Sequence, residues 1–394
     1  MNNTAKMHIG WTEHSLLDLA VLAEGQVDPR KNPYREMILV APDHIEAEVG
    51  RLIEQRTARE QNAISGKYLF SKGDVIYSKI RPYLRKAVIA PFDGLCSADM
   101  YPLRPNKNVD RDFLLALILG DDFSRFAEKV SARTGIPKIN RQELAEYRVT
   151  IPPVLQQAVI GAIHRDLLAI ITKQNAIITL KEIRKRAIMQ QLLSGKLRVP
   201  GFAGEWQVHR LCDYFTERSE SGYTDLSLLS ITADRGVIYQ SDSDKRDNSN
   251  QDKSKYKRIC VGDIGYNTMR MWQGRSALSQ LEGIVSPAYT VITPKPDADA
   301  LFFSYLFKTD RLINLFRRNS QGLVDDTLNC KFPAFASIKV SVPSIEEQRA
   351  IASILQTADR ELDLLRKKLD LLKLQKKGLM QKLLTGQLQV PILK

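Results

Sequence analysis

A twelve-residue stretch near the middle of the chain recurs at its end, and this repeat constrains the fold more than any other feature. The stretch reads MQQLLSGKLRVP at residues 189–200 and MQKLLTGQLQVP at residues 380–391, an offset of 191 residues. The same offset, without a gap, carries Gln157 onto Gln348. A matched block of this length predicts an internal duplication of the whole chain.

Each copy of this stretch ends a long segment with helical periodicity. Residues 154–193 and 345–384 carry apolar side chains every three or four positions, and Gly195 and Gly386 supply the left-handed stop that follows each segment. We therefore predict two long helices, each on the order of 60 Å in length.

The apolar positions of the two segments predict a heptad seam, and a sustained seam requires a helical partner. The best partner for each helix is its other copy. Ser344 and Glu347 have the spacing of a capping box at the start of the second helix. Lys376 interrupts the seam and aligns with Lys185. Either both lysines reach water, or the polar break fixes the helix register or docks a partner subunit. The predicted seam residues are Ile160, Leu167, Ile171, Ile178, Ile188, Leu192, Ile351, Leu355, Leu362, Leu365, Leu369, Leu372, Leu379 and Leu383.

The segments that precede the helices predict two globular domains of one fold. The first mixes strands and helices, with β-rich runs at 37–40, 75–77, 87–89 and 148–151 and helical spacing from 113 to 126. The second repeats this skeleton loosely; for example, Tyr266 echoes Tyr77. A shared skeleton with a different surface is typical of two domains with different targets. The predicted domains are 1–151 and 201–342, and the predicted spacer helices lie in 152–200 and 343–394.

The charge of the chain indicates a polyanionic partner. The formal net charge is +13, and most of the excess lies in the two helical segments, whereas the globular segments are nearly neutral. A basic protein without a nucleic-acid role is the alternative.

Cysteine usage and hydropathy indicate a cytoplasmic protein. Cys96, Cys212, Cys260 and Cys330 are widely scattered, which argues against a zinc ribbon or a disulfide framework. The longest strongly apolar run, 113–119, is far shorter than the roughly 20 residues that cross a bilayer. No membrane association is expected.

Local basic patches are the candidates for DNA binding in the nearly neutral domains. The segment SKIRPYLRK at 78–86 and the segment NTMRMWQGR at 267–275 occupy equivalent places in the two halves. Arg and Lys neutralise phosphates or read guanine, and Asn and Gln read adenine. A solvated basic loop is the alternative for any one of these patches. The predicted DNA-binding residues are Lys79, Arg81, Tyr83, Arg85, Lys86, Arg133, Lys138, Arg141, Lys253, Lys255, Arg270, Trp272, Gln273, Arg275, Arg317 and Arg318.

Catalytic and cofactor-binding motifs are absent from the sequence. It contains no G-x-x-x-x-G-K-[ST], no G-x-G-x-x-G after a strand, no G-x-S-x-G and no H-E-x-x-H, and its five histidines are dispersed. We expect a protein that binds and positions, with no metal, no catalytic residue and no cofactor of its own.

The order domain, long helix, domain, long helix resembles the specificity subunit of a type I restriction–modification system. Two motifs carry the resemblance: the P-x-x-x-x-Q start of each helix and the LL-[ST]-G-x-L-x-V-P exit from it. The family usually has Glu-Gln at the helix start; here the second copy has Glu347-Gln348 and the first has Gln156-Gln157. The resemblance implies two target-recognition domains separated by conserved helices that form an antiparallel coiled coil.

The same resemblance implies partners. Methyltransferase subunits would dock on the helices, bring S-adenosylmethionine and flip the target adenine. ATP- and Mg-dependent restriction subunits would join them, and the double-stranded DNA site would be bipartite. The helices would act as the ruler between its two halves.

Two other functions remain open at this stage. The first is a coiled-coil scaffold whose globular domains bind protein, which salt-dependent DNA binding would exclude. The second is a methyltransferase that is active alone, although no cofactor motif is visible.

Overall fold

The computed structural model describes residues 10–132, 135–232, 235–243, 249–322, 324 and 327–391. Backbone contacts divide the chain into two compact units, Met1–Ile178 with Leu364–Lys394 (unit 1) and Thr179–Asp363 (unit 2). Each unit therefore combines one globular domain with a part of both long helices.

The domain of unit 1 contains nine short strands and four helices in its described residues. The strands are β1 (Thr12–Ser15), β2 (Ala20–Leu22), β3 (Leu39–Val40), β4 (Tyr68–Phe70), β5 (Val75–Ser78), β6 (Ala87–Ile89), β7 (Gly94–Cys96), β8 (Met100–Pro105) and β9 (Arg148–Ile151). The helices are α1 (Leu16–Leu19), α2 (Arg111–Ile118), α3 (Asp121–Ser131) and α4 (Arg141–Glu146). Strands form a four-stranded sheet in the order β2-β8-β5-β6, a three-stranded sheet β3-β7-β4 and the pair β1-β9.

The predicted helical run from 113 to 126 is in fact two helices. Gly120 has extended backbone angles and is the N-cap of α3, so the chain turns between α2 and α3. The apolar residues of both helices still face one core, which explains why their spacing looked continuous. Helix α4 was not predicted from sequence; Asn140 begins it with a capping box to Glu143.

The first long helix, α5, spans Val154–Leu193, as predicted. The domain of unit 2 follows with β10 (Gln207–Arg210), α6 (Leu211–Tyr214), β11 (Phe215–Arg218), β12 (Leu229–Ile231), β13 (Val237–Tyr239), β14 (Lys257–Ile259), β15 (Ile264–Asn267), β16 (Ser276–Leu278), β17 (Gly283–Val285), β18 (Tyr289–Pro294), α7 (Ala300–Leu306), α8 (Asp310–Asn319), α9 (Phe332–Ala336) and β19 (Lys339–Val342). The second long helix, α10, spans Ile345–Leu384, again as predicted.

The domain of unit 2 repeats the main sheet and the end pair of the first, whereas its other strands form the pairs β12-β13 and β14-β17 in place of a three-stranded sheet. Its four-stranded sheet has the order β11-β18-β15-β16, and β10 pairs with β19 as β1 pairs with β9. Both end pairs are antiparallel and place the start of a domain beside its last strand, which leads into a long helix. The duplication inferred from the sequence is therefore a duplication of fold.

The two long helices pair in opposite directions inside each unit. In unit 1, the Gln174 side chain donates a hydrogen bond to the Leu365 carbonyl oxygen over 3.0 Å. In unit 2, Lys181 forms an ion pair with Glu361 at 2.6 Å. In unit 1 the Lys376 charge also acts on His164, and in unit 2 Lys185 also pairs with Asp359. Within each unit, later positions of α5 therefore meet earlier positions of α10, so the pairing is antiparallel.

The predicted seam faces inward along both helices. Residues such as Ile160, Ile171, Ile351 and Leu355 are at most 3% exposed, and all the other seam positions are buried or half-buried. Leu371, in contrast, is 65% exposed. Seam burial is the packing that stabilises a coiled coil.

By length and composition, Val154–Leu192 is apolar enough to cross a membrane. The sequence estimate considered only uninterrupted apolar runs and missed this property. A core helix has the same composition, and α5 contributes Ile160 and Ile163 to the core of unit 1 and Leu192 to the core of unit 2. Packing therefore accounts for part of its apolar character, and other apolar residues of α5 such as Leu180 are exposed.

The P-x-x-x-x-Q motif has a structural role at both helix starts. Gln157 accepts a hydrogen bond from the Asp110 backbone N–H at 3.1 Å and donates to the Pro152 carbonyl oxygen at 2.8 Å. Gln348 makes the equivalent bonds, from Asp299 at 2.9 Å and to Pro343 at 3.0 Å. Both amides are buried. Each glutamine thus fastens the start of a long helix to the start of α2 or α7.

The predicted capping box of α10 is wrong in its acidic member. The Glu347 carboxylate is buried and takes a bidentate ion pair from Arg198, with both N–O distances 2.7 Å. At the offset of 191, the corresponding positions in unit 1 are Gln156 and Gln389. The position of Glu347 is therefore a glutamine in unit 1, and the position of its partner Arg198 is a glutamine as well.

Candidate nucleic-acid interface

In unit 1, two basic segments that are far apart in sequence lie side by side. The Ile139 backbone N–H donates to the Lys79 carbonyl oxygen at 2.9 Å, and the Arg81 N–H donates to the Pro137 carbonyl oxygen at 2.8 Å. Between them, Ile80 pairs with Lys138. The backbone thus brings the patch at 78–86 next to the patch that begins at Lys138.

Tyrosine rings hold two of these cations in place. The Lys79 ammonium lies 5.1 Å from the centre of the Tyr101 ring, and the Arg141 guanidinium lies 6.0 Å from the rings of Tyr68 and Tyr101. Arg141 also donates to the Ala23 carbonyl oxygen at 2.7 Å. Burial raises the pKa of Tyr101, against the opposing charge of Arg141, so the ring remains neutral at pH 7. Sequence reasoning missed both tyrosines, which lie on separate strands.

A strained turn presents the exposed part of the patch. Arg81 and Arg85 both have φ of +48°, in the left-handed region, and flank a single 3-10 turn at Pro82–Leu84. Non-glycine residues in this conformation are uncommon and concentrate at functional sites. Arg81 is exposed, as is Tyr83 at 52%. This turn therefore offers a cation and an aromatic ring to solvent.

The remaining cations of the patch have contacts within unit 1. Arg85 forms an ion pair with Asp121 at 2.5 Å and donates to the Ser124 hydroxyl at 2.8 Å. Lys86 donates to the Pro42 carbonyl oxygen at 2.8 Å. Both are half-buried, and they connect the turn to α3 and to the loop after β3. Arg133, also predicted to bind DNA, lies outside the described residues.

Unit 2 builds the corresponding turn with different side chains. The Cys330 N–H donates to the Thr268 carbonyl oxygen at 2.8 Å, the counterpart of the bond from Ile139 to Lys79. A 3-10 turn follows at Met271–Gln273, at the position of Pro82–Leu84 in the duplicated sequence. One backbone hydrogen bond beside the first turn therefore recurs beside the second, whereas the Arg270 N–H, at the position of Arg81, donates to the Asn267 carbonyl oxygen instead.

An arginine from α8 joins this second turn. The Arg317 guanidinium lies 5.7 Å from the centre of the Trp272 ring, whose indole N–H donates to the Met269 carbonyl oxygen at 3.0 Å. The side chains of Gln273 and Arg275 are exposed. Arg318 is also exposed, whereas Arg270 is half-buried. The structure thus brings together the predicted residues of 270–275 and 317–318.

The residues 249–255, all polar and just before β14, form a polar segment that borders this region through a cavity of about 300 Å³. Asn250, Tyr256 and Tyr289 are among its lining residues. Burial raises the pKa of Tyr289. A side-chain hydrogen bond with Asn267 and the charge of Arg275 oppose this effect, so Tyr289 is close to both residues. Tyr289 therefore lies between the polar segment and the turn.

The two lysines predicted in that segment differ in their surroundings. Lys253 lies 4.9 Å from the centre of the Tyr256 ring and donates to the Ser249 hydroxyl at 2.6 Å. Lys255 is exposed. Tyr256 and Tyr289 were not predicted, because they are not repeated between the two domains.

The chain matches a family model described as the type I restriction modification DNA specificity domain, once over residues 9–182 and again over residues 204–374. It belongs to this family of DNA-specificity proteins. The match favours the reading of DNA recognition over a scaffold that binds only protein.

Individual relatives share this character. The chain is 44% identical over 124 residues to the EcoDI specificity subunit of Escherichia coli, a match that spans 32% of this chain and 28% of that subunit. It is 25% identical over 357 residues to the putative MjaX specificity subunit of Methanocaldococcus jannaschii, covering 82% of this chain and 80% of that protein.

Solved structures share the fold. The S subunit from M. genitalium superimposes with a TM-score of 0.58 at 15% identity, covering 98% of this chain and 97% of that one. The HsdS subunit from Thermoanaerobacter tengcongensis gives a TM-score of 0.51 at 20% identity, covering 98% of this chain and 99% of that one.

Proposed function

We propose that this chain is the DNA-recognition subunit of a type I restriction–modification complex, in which each globular domain reads one half of a split double-stranded site. The observation that carries the proposal is the repeated turn. A 3-10 turn at the same place in each domain, beside an equivalent backbone hydrogen bond, presents Arg81 and Tyr83 in unit 1 but Gln273 and Arg275 in unit 2. One scaffold with two sets of exposed side chains suits two different half-sites.

The exposed side chains have the chemistry for this role. Arginine can form two hydrogen bonds to guanine, and glutamine can do the same with adenine. Lys138, exposed beside the first turn, and Arg318, exposed near the second, can neutralise phosphates. Tyrosine or tryptophan rings already restrain the side chains of Lys79, Arg141 and Arg317, so these cations would lose less conformational entropy on binding DNA.

The long helices would set the spacing between the half-sites and dock the methyltransferase subunits. Both helices keep apolar side chains outside the seam: Ile170 and Ile177 of α5 are 47% and 43% exposed, and Leu371 and Leu374 of α10 are 65% and 66% exposed. Apolar residues at helical spacing on an exposed face are typical of a binding surface. The basic excess of the helical segments is available to DNA or to an acidic partner.

The chemistry of the complex would be carried out by its other subunits in the cytoplasm. The methyltransferase subunits would bind S-adenosylmethionine and methylate an adenine, and the restriction subunits would use ATP and Mg. This chain would supply no catalytic residue. Its contribution is to position the target base for the methyltransferase.

A selection experiment tests the proposal. The chain, assembled with its methyltransferase subunits, is incubated with a library of random DNA duplexes, and the retained duplexes are sequenced. We expect two short specified blocks separated by a fixed number of unspecified base pairs, and an affinity that falls steeply with salt. One contiguous motif, or retention without sequence preference, would contradict the proposal.

A further inference from the structure

A cavity of about 440 Å³ lies within unit 1, at the junction of α5, α10, the start of α3 and the loop at 46–49. Ala116, Leu168 and Ile171 form part of its apolar lining, and His164 and Lys376 are among its polar lining residues. Its volume falls in the range of small-molecule sites, and its combination of an apolar wall with few polar groups is typical of them.

The duplicated fold shows what fills the corresponding place in unit 2. At the sequence offsets that relate the two halves, Lys376 corresponds to Lys185, Leu168 to Asp359 and Ala116 to Tyr305. The Tyr305 hydroxyl donates to the Asp359 carboxylate at 2.5 Å, and the Lys185 ammonium forms an ion pair with the same carboxylate. The ammonium also lies 5.5 Å from the centre of the Tyr305 ring.

The correspondence of these positions rests on structure as well as on sequence. Helices α2 and α7, which carry Ala116 and Tyr305, are both N-capped by an aspartate, and each cap residue donates its backbone N–H to the buried glutamine of a long helix. The next helix begins directly after Gly120 in unit 1 and after Thr309 in unit 2. The helix surfaces around the cavity are thus in register with those of unit 2.

Unit 1 has the lysine, but alanine and leucine stand at the positions of the ring and the carboxylate. The Lys376 ammonium donates to the Glu48 carbonyl oxygen at 3.2 Å. Burial lowers the pKa of Lys376. Three acids line the cavity: Glu46 and Asp121 are paired with arginines at 2.7 Å and 2.5 Å, and the charge of Glu48 acts on Lys376, opposing the effect of burial on its pKa. A half-buried cation therefore faces the space that an aromatic ring and a carboxylate fill in unit 2.

His164 provides a neutral polar group in the same cavity. It is 3% exposed, and burial, with a smaller effect of the Lys376 charge, lowers its pKa to about 3. The ring is therefore uncharged at pH 7 and can donate or accept one hydrogen bond at each nitrogen. At offset 191 its counterpart in α10 is Leu355, so the polar group is specific to this cavity.

We propose that this cavity binds a small amphipathic carboxylate, with an aromatic or branched apolar body against Ala116, Leu168 and Ile171 and the carboxylate on Lys376. Such a ligand replaces the ring and the carboxylate that unit 2 supplies from Tyr305 and Asp359. The site is distinct from the turn at 81–83 and does not rest on the proposed DNA recognition.

Calorimetric titration of the full-length chain with phenylacetate tests this site, and phenylacetamide is the neutral control ligand. We expect saturable binding of one phenylacetate and at least tenfold weaker binding of the amide, because a charge-assisted hydrogen bond is lost. Lys376→Met should remove the preference for the carboxylate. Lys185→Met, the matched variant in unit 2, should leave phenylacetate binding unchanged.

A second variant fills the cavity with the side chains of unit 2. Ala116→Tyr combined with Leu168→Asp should abolish phenylacetate binding. The proposal is overturned if phenylacetate does not bind, if the amide binds equally well, or if Lys376→Met and Lys185→Met have equal effects. If phenylacetate does not bind and the double variant weakens methyltransferase binding, the occupant of the cavity is a side chain of the partner, and the proposal is overturned.

Discussion

Arg81 and Arg85 are four residues apart in one basic patch, yet they have different surroundings. Arg81 is exposed on the strained turn, whereas Arg85 is half-buried and paired with Asp121. Charge and sequence spacing alone place both residues in one DNA-binding patch, because neither property reports the direction of a side chain. Direction depends on α3, whose start could not be located from the apolar spacing.

The contrast leads to a prediction for two single variants. Arg81→Ala should weaken DNA binding by about 1–3 kcal/mol, the range for one good base contact, with little change in the unfolding temperature. Arg85→Ala should lower the unfolding temperature, since it removes the contacts of Arg85 with Asp121 and Ser124. DNA titration and thermal unfolding of both variants check this. Equal effects on both quantities would show that the two arginines do not differ in role.

The buried glutamines give a second prediction at this scale. Gln348→Leu should lower the free energy of unfolding by about 2–4 kcal/mol, because the Asp299 N–H and the Pro343 carbonyl lose a buried partner. Gln191→Leu, at an exposed position of α5, is the control and should change it by less than about 0.5 kcal/mol. Denaturant unfolding measures both. A loss below about 1 kcal/mol for Gln348→Leu would show that its buried hydrogen bonds do not stabilise the start of α10.

At the scale of elements, the long helices were the easiest part to predict. Their apolar periodicity runs over forty residues in each helix, and a left-handed glycine follows each end, Gly195 with φ of +71° and Gly386 with φ of +75°. Short elements fared worse. Helix α4 was missed, since its six residues carry almost no periodic signal. Long-range pairing, such as Ile139 with Lys79, cannot be read from local sequence at all.

Helix length gives a prediction about DNA spacing. Inserting one heptad into both α5 and α10 adds about 10 Å to each helix, which corresponds to about 3 base pairs of B-DNA. We expect the preferred spacer between half-sites to lengthen by that amount in a selection from random duplexes. Inserting the heptad into one helix only is the control, and it should impair folding because the seams no longer match. An unchanged spacer would mean that the helices are not the ruler.

The exposed apolar face of α10 gives a prediction about assembly. Leu371→Glu with Leu374→Glu should weaken binding of the methyltransferase subunits at least tenfold without lowering the unfolding temperature, since both residues are about two-thirds exposed. Ile64→Glu, at a residue 77% exposed in the domain of unit 1, should change neither quantity. Sedimentation and thermal unfolding measure the two effects. Full affinity in the Leu371, Leu374 double variant would exclude this face as the docking surface.

At the scale of the whole molecule, the duplication explains most of what the sequence could predict and much of what it could not. Features that both halves share were visible as repeated residues, including the buried glutamines at the starts of the long helices and the glycines at their ends. Features that differ between the halves had no such signal. The cavity beside Lys376 and the ring-held cations near Tyr101 belong to this second group. Function is expected to differ between the halves for the same reason.

DNA binding by the methyltransferase complex carrying Gln273→Ala and Arg275→Ala, measured on duplexes altered in one half-site at a time, tests directly whether each domain reads one half-site. The variant should bind the intact site more weakly and lose discrimination at one half-site, while its discrimination at the other half-site stays that of the wild type. The complex carrying Arg81→Ala should show the reverse pattern. Equal loss of discrimination at both half-sites in either complex would contradict the account of one domain for each half.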